Sequence, residues 1–288
     1  MLGNLTIDDV VRSDGTTAMG LCGGNAVYAA LGARLWSDRV SIAARLGRDF
    51  PRQYLAELKG AGIELELTPV ATRAMRNWAL YESDERRRFV AHLDGGTHEE
   101  QALALSEVPA AAFEARMWHV APLPPRSQGD LVRHAPSRVT LDPHDDYLTS
   151  ESKALLELLP LIDAFIPSRQ EAALLYGRDE PEAAAREMGK AGARVVVIKL
   201  GREGSLVYEH DQMWHVPSLD VKTVDPTGAG DAYCGAFAAV YAKSPDALEA
   251  ARRATVAASF VVERQGATAI LPLDPDLAER RYVRLTGR

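Results

Sequence analysis

Asp225-Pro226-Thr227-Gly228-Ala229-Gly230-Asp231, running into Ala232-Tyr233-Cys234-Gly235-Ala236-Phe237-Ala238-Ala239-Val240, is the stretch on which the reading of this chain turns. Pro226 disfavours a helical Asp225, so the chain arrives here from a strand or a loop. Gly228-Ala229-Gly230 lets the backbone turn tightly with its N–H groups bare. From Asp231 onward nearly every residue is small or apolar, which predicts a helix buried over most of its surface. The first turn of such a helix has unpaired N–H groups and a partial positive charge, so it suits an anion and keeps a carboxylate ionised. An anion cradle beside a carboxylate is what phosphoryl transfer needs: charge stabilisation, and a group to take the proton of an attacking hydroxyl. As a bare G-x-G-D the same residues also read as a closely packed helix start capped by Asp231.

The bulk of the 288-residue chain is that of an ordinary globular protein, with 47% hydrophobic and 25% charged residues. A formal charge of −7 argues against nucleic acid as the main partner. Cys22 and Cys234 are the only cysteines, so no disulfide framework or zinc spacing exists, and a reducing cytoplasm is the expectation. No apolar run is long enough to span a membrane. His98-Glu99 begins an H-E-x-x-H, but residue 102 is Ala. Gly15 and Gly20 have P-loop spacing, but Leu21-Cys22 stands where Lys and Ser or Thr are required. No G-x-G-x-x-G follows the first strand, which argues against a dinucleotide dehydrogenase.

Residues 1–11 read as a strand end running into a loop, and Asp14-Gly15 as a hairpin turn. Gly23-Gly24-Asn25 opens a small-residue helix, Val27 to Leu35. Val40–Arg45 reads as a strand, followed by a helix over 51–59. From Glu64 to Leu93 the pattern changes to short strands at 64–67, 77–81 and 89–93, with a turn at Ser83-Asp84-Glu85. Arg86-Arg87-Arg88 is the one basic run and reads as a solvated turn. Strands at 117–120, 138–141, 164–166 and 194–199 then alternate with helices, which predicts a parallel sheet covered on both faces. Ligands of such sheets bind at the C-terminal strand ends. Further strands at 205–208 and 213–216 precede the organising helix, and a last long helix runs from Ser244-Pro245-Asp246 to Gly266.

The signature 225–240, together with the order of the other motifs over practically the whole chain, resembles the ribokinase-like (pfkB-type) carbohydrate kinase family. The resemblance implies a three-layer α/β/α ribokinase-like fold spanning 1–288 as one kinase domain. Its central sheet would be mostly parallel, with a small β-sheet lid from segments at about 10–20 and 64–95. In that family an apolar first strand precedes Gly3; here only Met1 and Leu2 stand before it. We therefore expect either a very short first strand or residues upstream of this sequence. The implied catalytic groups are the amides of Gly228, Ala229 and Gly230, and Asp231 as base. Asp8, Gly24, Asn25, Asn77 and Trp78 are the implied substrate contacts, with Tyr81 a further candidate to face the ligand. Ser168, Lys199, Gly201, Gly204 and Ala257 would approach the nucleotide. Glu171 would organise Mg²⁺ through water, although Ser168 stands where the family has Asn and doubles as a helix N-cap. Asp225 is the family's monovalent-cation position; Thr268 or the apolar Ile270 falls where a hydroxyl ligand is used, which argues against K⁺ activation.

These residues imply an ATP- and Mg²⁺-dependent kinase acting on a hydroxyl of a sugar, polyol or nucleoside. The alternative is a catalytically silent nucleotide or sugar sensor on the same fold, supported by Ser168 alone. The lid strands also suggest pairing across a homodimer.

Overall fold

A computed structural model describes residues 1–81 and 87–287; the turn expected at Ser83–Glu85 and the first arginine of the basic run lie outside the described residues. In chain order the elements are β1 (Thr6–Val11), β2 (Thr17–Gly23), α1 (Asn25–Arg34), β3 (Val40–Gly47), α2 (Arg52–Gly60), β4 (Ile63–Val70), β5 (Met75–Tyr81), β6 (Arg87–Ala91), α3 (His98–Gln101), β7 (Met117–Val120), α4 (Pro125–Arg133), β8 (Arg138–Leu141), α5 (Asp145–Leu156), β9 (Ala164–Phe165), α6 (Arg169–Tyr176), α7 (Pro181–Lys190), β10 (Val195–Lys199), β11 (Ser205–Glu209), β12 (Gln212–Val216), α8 (Ala229–Lys243), α9 (Ala247–Val261) and α10 (Pro275–Thr286).

The main sheet runs β12-β11-β10-β9-β8-β7, parallel from β10 to β7 and antiparallel at the β10-β11-β12 edge. Leu2 extends it, bridging in parallel to Val120 of β7 on one side and to Ala43 of β3 on the other. A single residue thus serves as the first strand, held by Leu2 N–H to His119 O and Ala121 N–H to Leu2 O, both 2.9 Å. Along β10, Val196 and Ile198 enter one apolar layer, whereas Val195 and Val197 enter the other with Phe237 and Tyr241 of α8. That period of two, with both faces apolar, is why the strand reads as a continuous hydrophobic run.

A second sheet, β2-β1-β5-β6, forms the lid. Two boundaries differ from expectation. Residues 6–11 are a strand, not a loop. Residues 63–70 do not belong to the lid, because β4 pairs in parallel with β3 over its whole length, from Val40–Ile63 to Gly47–Val70. The Glu-Leu-Glu-Leu alternation at 64–67 gives a half-buried strand, and either sheet can supply that environment.

The lid is held by a buried charge. Asp9 has no exposed side-chain surface and accepts from Arg76 Nε at 2.6 Å, Arg76 Nη2 at 3.1 Å and Gly20 N–H at 2.6 Å. Removing one partner of a buried pair leaves a charge without compensation. Arg76→Met is therefore expected to lower the unfolding free energy by about 3 kcal/mol. Urea denaturation checks this: the midpoint should fall at unchanged slope, and a midpoint equal to wild type would contradict it.

Candidate active site

The site forms where α8 begins. Gly228 caps it in the left-handed region, φ 76°, and a Cβ at this position would come within 2.2 Å of the Tyr28 ring. The turn before it is tied down on every side. Val224 and Asp225 N–H both reach Val262 O, and Asp225 Oδ1 accepts from Thr227 N–H at 2.8 Å and from the Tyr81 hydroxyl. The N–H groups of Gly228 and Gly230 have no backbone partner among the described residues, as an anion cradle requires. Ala229 departs from expectation: its N–H turns back onto Pro226 O at 3.2 Å and is not presented with the others. Asp231 stands in the same first turn, partly buried.

The ends of the parallel strands supply the facing charges. Lys199, the last residue of β10, points inward. Its Nζ donates to Asp142 Oδ1 at 2.6 Å and lies 3.5 Å from Cys234 Sγ. The same Nζ comes within 3.6 Å of where a Cβ on Gly230 would be, so the ammonium stands beside the cradle. Burial works against that charge, but Asp142 and Glu171 outweigh it and hold the Lys199 pKa well above the ordinary value. Asp142, just past β8, is pushed by burial up to about 6. Glu171 is pushed up to about 7, by burial first and then by the Asp142 charge, with Lys199 opposing. Ser168 and Glu171 form a reciprocal cap: Ser168 N–H donates to Glu171 Oε2 at 2.6 Å and Glu171 N–H to Ser168 Oγ at 3.2 Å. Ser168 is thus a helix cap that also holds the Glu171 carboxylate in place. Gly201 and Gly204 carry positive φ, 62° and 96°, in the turn after Lys199; a Cβ on Gly204 would meet Val216 O at 2.1 Å.

The lid side is settled by strand alternation. Asp8 and Asn77 are register partners of the parallel β1-β5 pair and share a face. Asp8 takes the Thr6 hydroxyl at 2.9 Å and lies over Gly23, where a Cβ would fall 1.9 Å from Asp8 Oδ2. The Asn77 amide has no hydrogen-bond partner among the described residues. Four of the expected contacts have protein neighbours of their own. Trp78 projects from the opposite face of β5 and stacks on His92, centroids 4.3 Å apart. Asn25 spends both ends of its amide on backbone, accepting from Asn4 N–H and donating to Pro122 O, each at 2.7 Å. Gly24 is buried, and a Cβ there would clash with Asn4 O at 2.4 Å, so the entry of β1 by itself requires a glycine here. Ala257 is 0% exposed, packed in the apolar layer between α8 and α9. Tyr28 and Cys234 belong to the site and were missed, because an aromatic and a thiol in apolar helices read as core.

A groove of about 740 Å³ lined by Leu21, Tyr54, Thr268 and Pro272 opens elsewhere and contains none of these carboxylates. For Mg²⁺ the chemistry of the donors fits: Asp142 and Glu171 offer carboxylate oxygens close to Lys199 and the anion cradle, the kind of donor this ion takes together with phosphate oxygens. Asp225 Oδ2 is buried without a partner among the described residues, which suits a cation, whereas Oδ1 is already engaged by Tyr81.

The description "pfkB family carbohydrate kinase" matches residues 11–274. A cytidine kinase of Thermococcus kodakarensis is 28% identical over 279 residues, covering 92% of this chain and 96% of that protein. Among solved structures, an E. coli protein assigned as ribokinase II, in complex with ATP and Mg²⁺, superposes with a TM-score of 0.79 at 22% identity over 98% of both chains. A Burkholderia thailandensis nucleoside kinase in complex with inosine gives 0.80 at 18% identity over 100% of this chain and 98% of that one. The three-layer fold, the glycine turn opening α8 and the match over 11–274 lead to one conclusion: the chain belongs to the pfkB family of carbohydrate kinases and is an ATP-dependent sugar or nucleoside kinase.

Proposed function

We propose that the protein moves the γ-phosphoryl group of ATP onto a hydroxyl of a pentose, free or within a nucleoside, with Asp231 as the base. One observation carries this reading: a carboxylate in the first turn of α8 stands beside two unpaired glycine amides and a buried ammonium. Asp231 takes the proton as the acceptor oxygen attacks phosphorus. The Gly228 and Gly230 amides and Lys199 receive the charge on the transferring group. Asp142 holds Lys199 in place, and with Glu171 it would hold Mg²⁺, which when bound neutralises phosphate charge. Asp8 and Asn77 receive the acceptor's other hydroxyls, and the lid excludes the water that would otherwise compete for the phosphoryl group. The named relatives justify including nucleosides among the acceptors tested. No observation favours the silent sensor, since Asp231 and the glycine turn are both present.

The test is ATP consumption against a panel of pentoses, cyclitols and nucleosides, with Asp231→Asn alongside. Turnover should depend on one acceptor, and kcat of the variant should fall by at least about 100-fold with both KM values little changed. An Asp231→Asn enzyme keeping most of its kcat would end this assignment. The raised pKa of Glu171 adds a pH expectation. Protons compete with the metal below about 7, so apparent Mg²⁺ affinity in ATP turnover should weaken as pH drops through that value. A Mg²⁺ dependence that is flat with pH would remove Glu171 from the metal site.

A further inference from the structure

We propose that Tyr81 and Arg12 are positioning residues that latch the lid onto the turn before Gly228, so that an acceptor held by the lid tightens nucleotide binding. The inference rests on the kinase reading above and concerns two residues which that reading does not use.

The latch begins with strand alternation. β1 and β5 run side by side in parallel, with Asp8 opposite Asn77 and Val11 opposite Leu80. Side chains four residues apart on a strand share a face, so Tyr81 lies on the face of Asn77, about 13 Å further along. Arg12, one residue past the end of β1, continues the register beside Tyr81, and its guanidinium carbon lies 5.8 Å from the centre of the Tyr81 ring. The paired strands that carry Asp8 and Asn77 therefore end in an arginine and a phenol, both half-buried.

Both side chains reach the stretch 224–227. Arg12 Nη2 donates to Val224 O at 2.9 Å. The Tyr81 hydroxyl donates to Asp225 Oδ1 and lies 3.2 Å from Thr227 Oγ1. Asp225 is 1% exposed, and the same Oδ1 accepts from Thr227 N–H at 2.8 Å, the bond that shapes the turn into Gly228. Its Oδ2 has no partner among the described residues, so the phenol is one of the two donors described for this buried carboxylate. Taking a donor from a buried carboxylate loosens whatever that carboxylate holds. A parallel strand pair of this length moves as one body, so what seats Asp8 and Asn77 on an acceptor also seats Tyr81 and Arg12 on the turn. The seated turn presents the Gly228 amide to phosphate. Acceptor and nucleotide then favour the same arrangement of one element, and each raises affinity for the other by the same factor. A brace that served folding alone would weaken nucleotide binding equally with and without acceptor.

The experiment titrates a non-hydrolysable ATP analogue and Mg²⁺ calorimetrically, with and without the acceptor that the panel identifies. The proteins are wild type, Tyr81→Phe, Arg12→Gln and the double variant. Phe keeps the ring beside Arg12 and removes the oxygen alone. Saturating acceptor should tighten the analogue about tenfold in wild type and less than about twofold in Tyr81→Phe. Arg12→Gln should lower the coupling as well, and the double variant should fall no further than Tyr81→Phe, because the two bonds close one latch. Absence of coupling in wild type, equal coupling in wild type and Tyr81→Phe, or a loss of analogue affinity that is the same with and without acceptor would overturn the proposal. Should circular dichroism show Tyr81→Phe unfolded, Arg12→Gln with wild-type coupling would overturn it instead. A wild type that phosphorylates nothing in the panel removes the parent reading and this inference with it.

Discussion

Two helices crossing with almost no side chain between them is the constraint on which the site depends. A Cβ on Gly32 of α1 would fall 2.1 Å from Ala232 O, and one on Gly235 of α8 would fall 1.9 Å from Ala29 O. Backbone against backbone is the closest approach two helices can make, and only glycine permits it. This contact brings the start of α8 down onto Tyr28 and sets the anion turn above a rigid aromatic floor. It also fixes the distance between α1, which carries the entry of β1 through Asn25, and α8, which carries Asp231 and Cys234. A methyl group at either glycine would shift Asp231 relative to the lid.

The charges around this crossing are not arranged for stability. Asp142 and Lys199 are buried together; burial first and then the Asp231 charge raise the carboxyl pKa of Asp142, and Asp142 in turn raises that of Glu171. Buried ion pairs are weak contributors to folding, since the cost of desolvation offsets most of the attraction. An excess of carboxylates over cations at the ends of parallel strands is more costly still. Such an arrangement becomes favourable when a cation and a polyanion are bound, which is what Mg²⁺ and a nucleotide supply. Desolvated charge held ready in a fixed geometry also costs no reorganisation at the moment of reaction.

Much of the fold was legible in the sequence, because its signals are local. Strand runs at 117–120 and 138–141 coincide with β7 and β8, and the small-residue stretch after Asp231 is α8. The lid boundary was not legible, because alternation at 64–67 describes a half-buried strand without saying which sheet it joins. Within the site, the turn at 228–231 could be read from the residues it needs. Trp78 and Asn25 could not: the face a lid strand presents depends on register, and an amide's partners depend on which distant carbonyl lies nearby. Tyr28 escaped notice because an aromatic three residues after Asn25 in a small-residue helix has the pattern of ordinary core. Only the third dimension places its hydroxyl among carboxylates brought from β1 and from both sides of Gly228.

The central claim is that the left-handed turn at Gly228, seated on Tyr28, is what holds the nucleotide phosphates. Calorimetric titration of Gly228→Ala with a non-hydrolysable ATP analogue and Mg²⁺ tests it most directly, with circular dichroism to establish that the variant is folded. A Cβ at φ 76° driven toward the ring should distort the turn and weaken binding by at least about tenfold in a folded protein. A folded variant that binds the analogue as tightly as wild type would show that the phosphates are held elsewhere.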